Sequence, residues 1–194
     1  MPLPPTLVPG RTAVLSMDLQ AGLVSIYVKE PEFIGRAANV LKLARAAGLL
    51  VVHVRVGFRP TLPEVSSRNL LLGAIKASPQ HQKLFEGAVG AIHQAVAPEG
   101  DEVVITKHRV SAFAGTELDL ILRAHDIDAL VLFGIATSGV VLSTLLHAAD
   151  ADYRLFVVKD CCADLDLDLH ATLVDKVFPR QATVLSAAEI LNTV

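Results

Sequence analysis

Residues 130–144, LVLFGIATSGVVLST, constrain the fold of this chain more than any other segment. Residues 130–133 form an apolar run too short for a helix and suited to a strand buried on both faces. Gly134 ends the run. Small and polar residues follow (Ile135, Ala136, Thr137, Ser138, Gly139), and then an apolar run at helical spacing. A buried strand that turns sharply into a helix is a unit of a parallel α/β sheet. The first N–H groups of its helix lack intrahelical partners and, with the helix dipole, favour a negative oxygen. Enzymes place nucleophiles and oxyanion donors at such turns.

The rest of the chain repeats this alternation. Residues 12–17 (TAVLSM) predict a buried strand ending at Asp18. Residues 31–47 carry an apolar stripe at helical spacing, opened by Pro31 and stopped by Gly48. Strands are predicted at 49–56, at 102–106 before Lys107, at 129–133, at 154–159 before Asp160, and at 182–185. Helices are predicted at 116–125, 139–149 and 168–178, and Ser186 with Glu189 forms a capping box for a last helix. Residues 57–85 have few periodic cues and are expected to be a long irregular segment; one of that length in a compact domain is usually functional. Alternation throughout implies right-handed crossovers and a mostly parallel sheet covered on both faces. Ligands then sit beyond the C-terminal strand ends, where Asp18, Lys107 and the Gly134-to-Gly139 turn all fall.

Composition narrows the function. At 194 residues and a net charge of −3, with no block of like charges, the chain offers no footprint for nucleic acid or an anionic membrane, and no apolar run long enough to span a bilayer. The opening MPLPPTLVPG lacks the basic flank and apolar segment of a signal peptide. Residues 1–10 are expected to be a loose lead-in to one domain covering 1–194. The two cysteines, Cys161 and Cys162, are adjacent and so rarely bridge each other; free thiols and a reducing, cytoplasmic compartment are expected.

Asp18 suits a general acid or base tuned by a nearby cation, and Lys107 at a neighbouring strand end would pair with it. Gln20 suits a hydrogen bond to substrate. Arg55, Arg59 and Arg68 lie in or beside the long segment, where arginine can grip a carboxylate, although surface arginines are usually solvated. His53 has no ligand partner at metal-binding spacing, so no metal is expected. Asp164, Asp166 and Asp168 lack the glycine and closing glutamate of a calcium loop and suit helix starts. Free cysteines are mostly small buried hydrophobes, and no histidine stands where it would activate Ser138.

Four segments carry a resemblance: MDLQ around Asp18; TKHRVSAFAGTELDLIL around Lys107; FGIATSGVVLSTLLHAAD; and YRLFVVKDCCAD. In order and spacing they resemble the isochorismatase-like hydrolase superfamily, also called cysteine hydrolases. The resemblance implies a three-layer Rossmann-like fold, with a six-stranded, mostly parallel sheet, helices on both faces and a site at the sheet's C-terminal edge. It implies a catalytic Asp at Asp18, a Lys at Lys107, and a non-proline cis peptide at Ile135–Ala136. The family's nucleophilic cysteine falls at Gly139. Amidase members have no attacking atom without that cysteine. Isochorismatases share the glycine and hydrolyse a vinyl ether by acid catalysis.

The resemblance thus implies an isochorismatase-type hydrolase of a small molecule, without cofactor or metal. Asp18 would be the proton donor and Lys107 would set its ionisation. The amides of Ala136 and Gly139 would bind substrate oxygen, and Gln20, Arg55, Ile135, Thr137 and Ser138 would line the pocket. The alternatives are a member that binds a small carboxylate or amide without turnover, or an amidase recruiting Ser138 or a cysteine from elsewhere. A homo-oligomer, dimer or tetramer, is also implied.

Overall fold

A computed structural model describes residues 6–190. Six parallel strands form one sheet in the order β3-β2-β1-β4-β5-β6. They are β1 (Thr12–Met17), β2 (Leu50–Val56), β3 (Val103–Lys107), β4 (Ala129–Ile135), β5 (Arg154–Ala163) and β6 (Thr183–Leu185). The order reverses between β1 and β4. A crevice opens at such a switch point because successive crossovers leave to opposite faces. β1 and β4 are buried along their whole length, and the edge strands β3 and β6 are only partly so. That division follows the sequence: ALVLFGI has no polar side chain to place, whereas VVITK alternates in exposure.

The helices are α1 (Ala21–Tyr27), α2 (Phe33–Ala46), α3 (Leu70–Ala77), α4 (Pro79–Lys83), α5 (Leu118–Ala124), α6 (Leu142–Asp150), α7 (Leu167–Thr172) and α8 (Ala187–Ile190). α2 buries Phe33, Ala37, Val40, Leu41 and Ala44, one stripe at three- and four-residue spacing. Each large apolar side chain so buried contributes about 1.5–3 kcal/mol.

Four local expectations are corrected. Residues 57–85 contain α3 and α4, which their caps start: Asn69 accepts from the Leu72 N–H, and Ser78 accepts from the His81 N–H with Pro79 in the first turn. α1 was not expected at all. β5 runs past Asp160 to Ala163, so Cys161 and Cys162 lie within a strand, across an irregular register with β4. The lead-in is not loose throughout, because Leu7 is 2% exposed and belongs to the main core; residues 1–5 lie outside the described residues. Among the described residues, no helix is long and apolar enough to cross a membrane.

Candidate active site

Asp18 leaves β1 with φ +57°, a left-handed conformation that aspartate tolerates better than most residues. Its N–H donates to the Val54 carbonyl at 2.8 Å, tying this turn to β2. Gly134 stands opposite Met17 in the β1–β4 register. Its φ is +145°, and a Cβ there would run into the Met17 carbonyl. Only glycine lets the two strand ends close up beside Asp18. The next peptide bond, Ile135–Ala136, is cis.

Lys107 ends β3, with β2 between it and β1. Its ammonium crosses the end of β2 to reach Asp18 Oδ2 at 2.8 Å, and it also donates to the Arg109 carbonyl at 3.1 Å. The side chains are 2% and 5% exposed respectively. Asp18 Oδ1 is buried and has no hydrogen-bond partner among the described residues. Burial raises the Asp18 pKa above its ordinary 3.8, and Lys107, by charge and hydrogen bond, pulls it back without cancelling the effect.

Both side chains open on a cleft of about 160 Å³, whose walls include Ile135, Ala136 and Gly139. A Cβ on Gly139 would meet only Ala136 Cβ at 3.7 Å and Val110 Cγ1 at 4.0 Å, ordinary contacts. The place of a side chain at 139 is therefore open. Leu71, Leu72, Ile75 and Phe85 close the cleft from the other side, so the long segment after β2 supplies a wall of it.

Several expected site residues have other tasks. Gln20 is fully buried and does not face the cleft: its amide donates to the Val56 and Gly90 carbonyls at 3.0 and 2.7 Å and accepts from the Val56 N–H at 2.8 Å. Its hydrogen-bonding groups are spent tying β2 to the loop before β3. Arg55 lies next to cleft-lining Val56 on β2, so strand alternation points it away; its Nε is buried without a partner among the described residues. Arg59 is 65% exposed, and Arg68 is also exposed.

Thr137 is buried outside the cleft, its hydroxyl 2.8 Å from His170 Nδ1. Ser138 gives both its N–H and its hydroxyl to Asp164 Oδ2, at 2.8 and 2.6 Å. The negative oxygen anticipated at this helix start is thus the chain's own Asp164. The Gly139 amide is engaged as well, donating to the Ala136 carbonyl at 3.1 Å, and is not free for substrate oxygen. The helix opens as a π turn over Thr137–Val141 before α6, so Gly139 lies inside that turn and not at the helix start. Of the other aspartates, Asp166 caps α7 and Asp168 lies in its first turn.

Two polar cleft residues were not anticipated. Arg109 lines the cleft and donates to the His108 and Glu64 carbonyls at 2.6 and 3.0 Å. Tyr27, at the end of α1, keeps its phenolic proton, because burial and the Asp164 carboxylate both raise its pKa. The signal for Arg109 was its place two residues after Lys107. Tyr27 had no signal without α1.

The cysteines stand elsewhere. Burial, with the Asp160 charge, drives the Cys161 thiol far above its ordinary range and pushes that of Cys162 up to about 12. Neither lines the cleft. Among the described residues, no group of three His, Cys, Asp or Glu side chains is placed to hold a metal ion.

An isochorismatase domain model matches residues 12–189. The chain is 35% identical over 142 residues to the maleamate amidohydrolase of Pseudomonas putida, an alignment spanning 72% of the chain and 64% of that enzyme. It is 31% identical to a ureidoacrylate amidohydrolase of Agrobacterium fabrum, across 94% of the chain and 91% of the relative. An isochorismatase family protein from Burkholderia thailandensis superposes with a TM-score of 0.82 at 29% identity, covering 97% of each chain.

Proposed function

The chain belongs to the isochorismatase family, and from that premise we propose that it hydrolyses a small vinyl ether by acid catalysis, with no covalent enzyme intermediate. One observation carries the reading. The Asp18 carboxyl is buried, holds its proton more tightly than usual, has Oδ1 without a partner among the described residues, and faces an open place at Gly139.

A carboxyl whose pKa is raised by burial can, in its protonated form, donate its proton to the terminal carbon of an enol ether. The proton forms a C–H bond, and the ether oxygen shares the resulting positive charge as an oxocarbenium ion. Water adds to the oxygen-bearing carbon of that ion and returns a proton to the Asp18 carboxylate. The hemiketal then collapses, its C–O bond to the leaving group breaking to give a ketone and an alcohol. Lys107 holds the Asp18 side chain on Oδ2 and stabilises the carboxylate formed in the first step.

The amidohydrolase relatives suggest amides as the other substrate class. Observations on this chain weigh against a covalent route to them. Gly139 brings no attacking atom, the Ser138 hydroxyl is bound to Asp164, and both thiols lie away from the cleft with raised pKa values. The discriminating experiment measures turnover of a panel of vinyl ethers and amides before and after iodoacetamide. Ether hydrolysis that survives alkylation and vanishes in Asp18→Ala supports the proposal. Amide turnover abolished by alkylation would overturn it, as would ether turnover unchanged in Asp18→Ala.

A further inference from the structure

Beside the reactive cleft lies a second chamber of about 320 Å³. The two share Leu23, Tyr27, Leu71, Ile75 and Phe85 as walls, so they lie side by side. Their carboxylate, lysine and arginine side chains are segregated. Asp18, Lys107 and Arg109 all lie in the first. Among the described residues, no carboxylate, lysine or arginine lines the second, whose further walls are Ile26, Ala74, Leu84, Leu165 and the imidazole-bearing His81. Leu71 and Leu165 are 59% and 57% exposed, an apolar mouth left facing water.

The charge in the first chamber is unbalanced. Lys107 is paired with Asp18, but the hydrogen bonds of Arg109 among the described residues go to two backbone carbonyls, which leave its charge without a carboxylate. Arg109 therefore brings to one small cleft a cation that no carboxylate there offsets. That arrangement recruits an anionic head and fixes it next to the acid.

We infer that the substrate is an amphiphile, with a carboxylate-bearing head held at Arg109 beside Asp18 and an unbranched or aromatic apolar tail lying in the second chamber. This rests on the hydrolytic reading for the chemistry at the head, and adds the class of molecule that carries it. The shared walls of the two chambers, and the placing of Asp18, Lys107 and Arg109 in the first, favour a single ligand spanning both over a protein partner seated on the mouth.

The test is a binding series that needs no turnover. Saturated straight-chain carboxylates of four to ten carbons, below their aggregation concentrations, are titrated into the full chain by calorimetry. Affinity is expected to rise about threefold to fourfold per methylene until the chamber is full, and then to level off. Ala74→Trp, in the wall of the second chamber and not of the first, narrows that chamber and should flatten the chain-length dependence more than it weakens four-carbon binding. Arg109→Gln should weaken every member about tenfold or more and keep the slope. A flat series in the wild type, no binding at any length, or a slope unaltered by Ala74→Trp would overturn the inference. Sedimentation decides the other occupant: a self-association lost in Leu71→Asp, together with a flat series, would make the chamber a contact between copies. In Asp18→Ala the slope should persist. Ether turnover persisting there as well would remove the hydrolytic reading and leave the ligand class standing.

Discussion

Lys107 reaches Asp18 across an entire strand. The two residues sit at the ends of β3 and β1 with β2 between them, yet their side chains meet at 2.8 Å, almost wholly out of water. Such a pair is more informative about chemistry than about stability, because desolvating both groups offsets most of their attraction. Replacing Asp18 by Asn keeps the shape and removes the transferable proton. Ether hydrolysis should fall by about 10²–10⁴-fold, the usual range for a general acid, with substrate affinity largely retained. A kcat within about threefold of wild type would contradict the assignment of Asp18 as the acid.

The pH dependence has a definite sign. Burial raises the Asp18 pKa above 3.8, and the acid works only while protonated. The kcat/KM for ether hydrolysis should therefore be highest at low pH and decline as pH rises through a midpoint above the ordinary carboxylate value. Lys107→Met removes the influence that lowers this pKa, so the midpoint should move further up. The same variant should lose stability as pH rises above about 3.8, because the unfolded chain then releases a proton that the folded chain keeps. Urea unfolding at several pH values measures this, and stability that increases with pH in Lys107→Met would refute it.

Much of the fold, and the sheet edge where the candidate site lies, was legible in the sequence. Strand–helix alternation is a strong signal, and it placed Asp18, Lys107 and the 134–139 turn at one sheet edge. The resemblance placed the vacancy at Gly139, where there is room for a side chain. What failed was side-chain direction. Gln20 and Ser138 sit next to the chemistry in sequence, but their polar atoms satisfy buried backbone groups and Asp164, bonds made with residues far along the chain. The α3–α4 wall was missed because its helices are short and depend on caps at Asn69 and Ser78 more than on periodicity. Arg109 was hidden by the expectation that the long segment would supply the guanidinium.

Gly139 and Gly134 should respond oppositely to a single methyl group. Gly139→Ala meets only ordinary contacts and replaces a poor helix former inside a helical turn, so stability should stay within about 1 kcal/mol of wild type. At Gly134 a methyl group collides with the Met17 backbone in a left-handed conformation, and the cost should be about 3 kcal/mol or more. Thermal unfolding of both variants settles the contrast; equal melting temperatures would show that the β1–β4 approach beside Asp18 does not depend on glycine.

Gly139→Cys puts a thiol into the open place that faces Asp18 and Lys107. Both native thiols are buried with raised pKa values, so the wild type should react slowly with iodoacetamide. The variant should gain one rapidly alkylated site per chain, mapped by mass spectrometry to position 139. Slow alkylation would mean that the place is closed to solvent.

Glu102 ties the far side of β2 to α2. It accepts from Arg45 at 2.7 and 2.9 Å, from the Glu99 N–H at 2.9 Å, and lies 3.0 Å from His53 Nε2. Burial alone would raise its pKa, but these partners together hold it down at about 2. A carboxylate so depressed stabilises the fold above its unfolded value of 4.5 and loses that contribution as pH falls towards 2. Glu102→Gln should therefore cost about 2 kcal/mol at neutral pH, in line with hydrogen bonds to a charged group. The deficit should shrink between pH 4.5 and 2 as the wild-type carboxylate protonates and loses the same interactions. Urea unfolding of both proteins across that range checks the convergence. A deficit independent of pH would show that side-chain shape, and not charge, makes Glu102 matter.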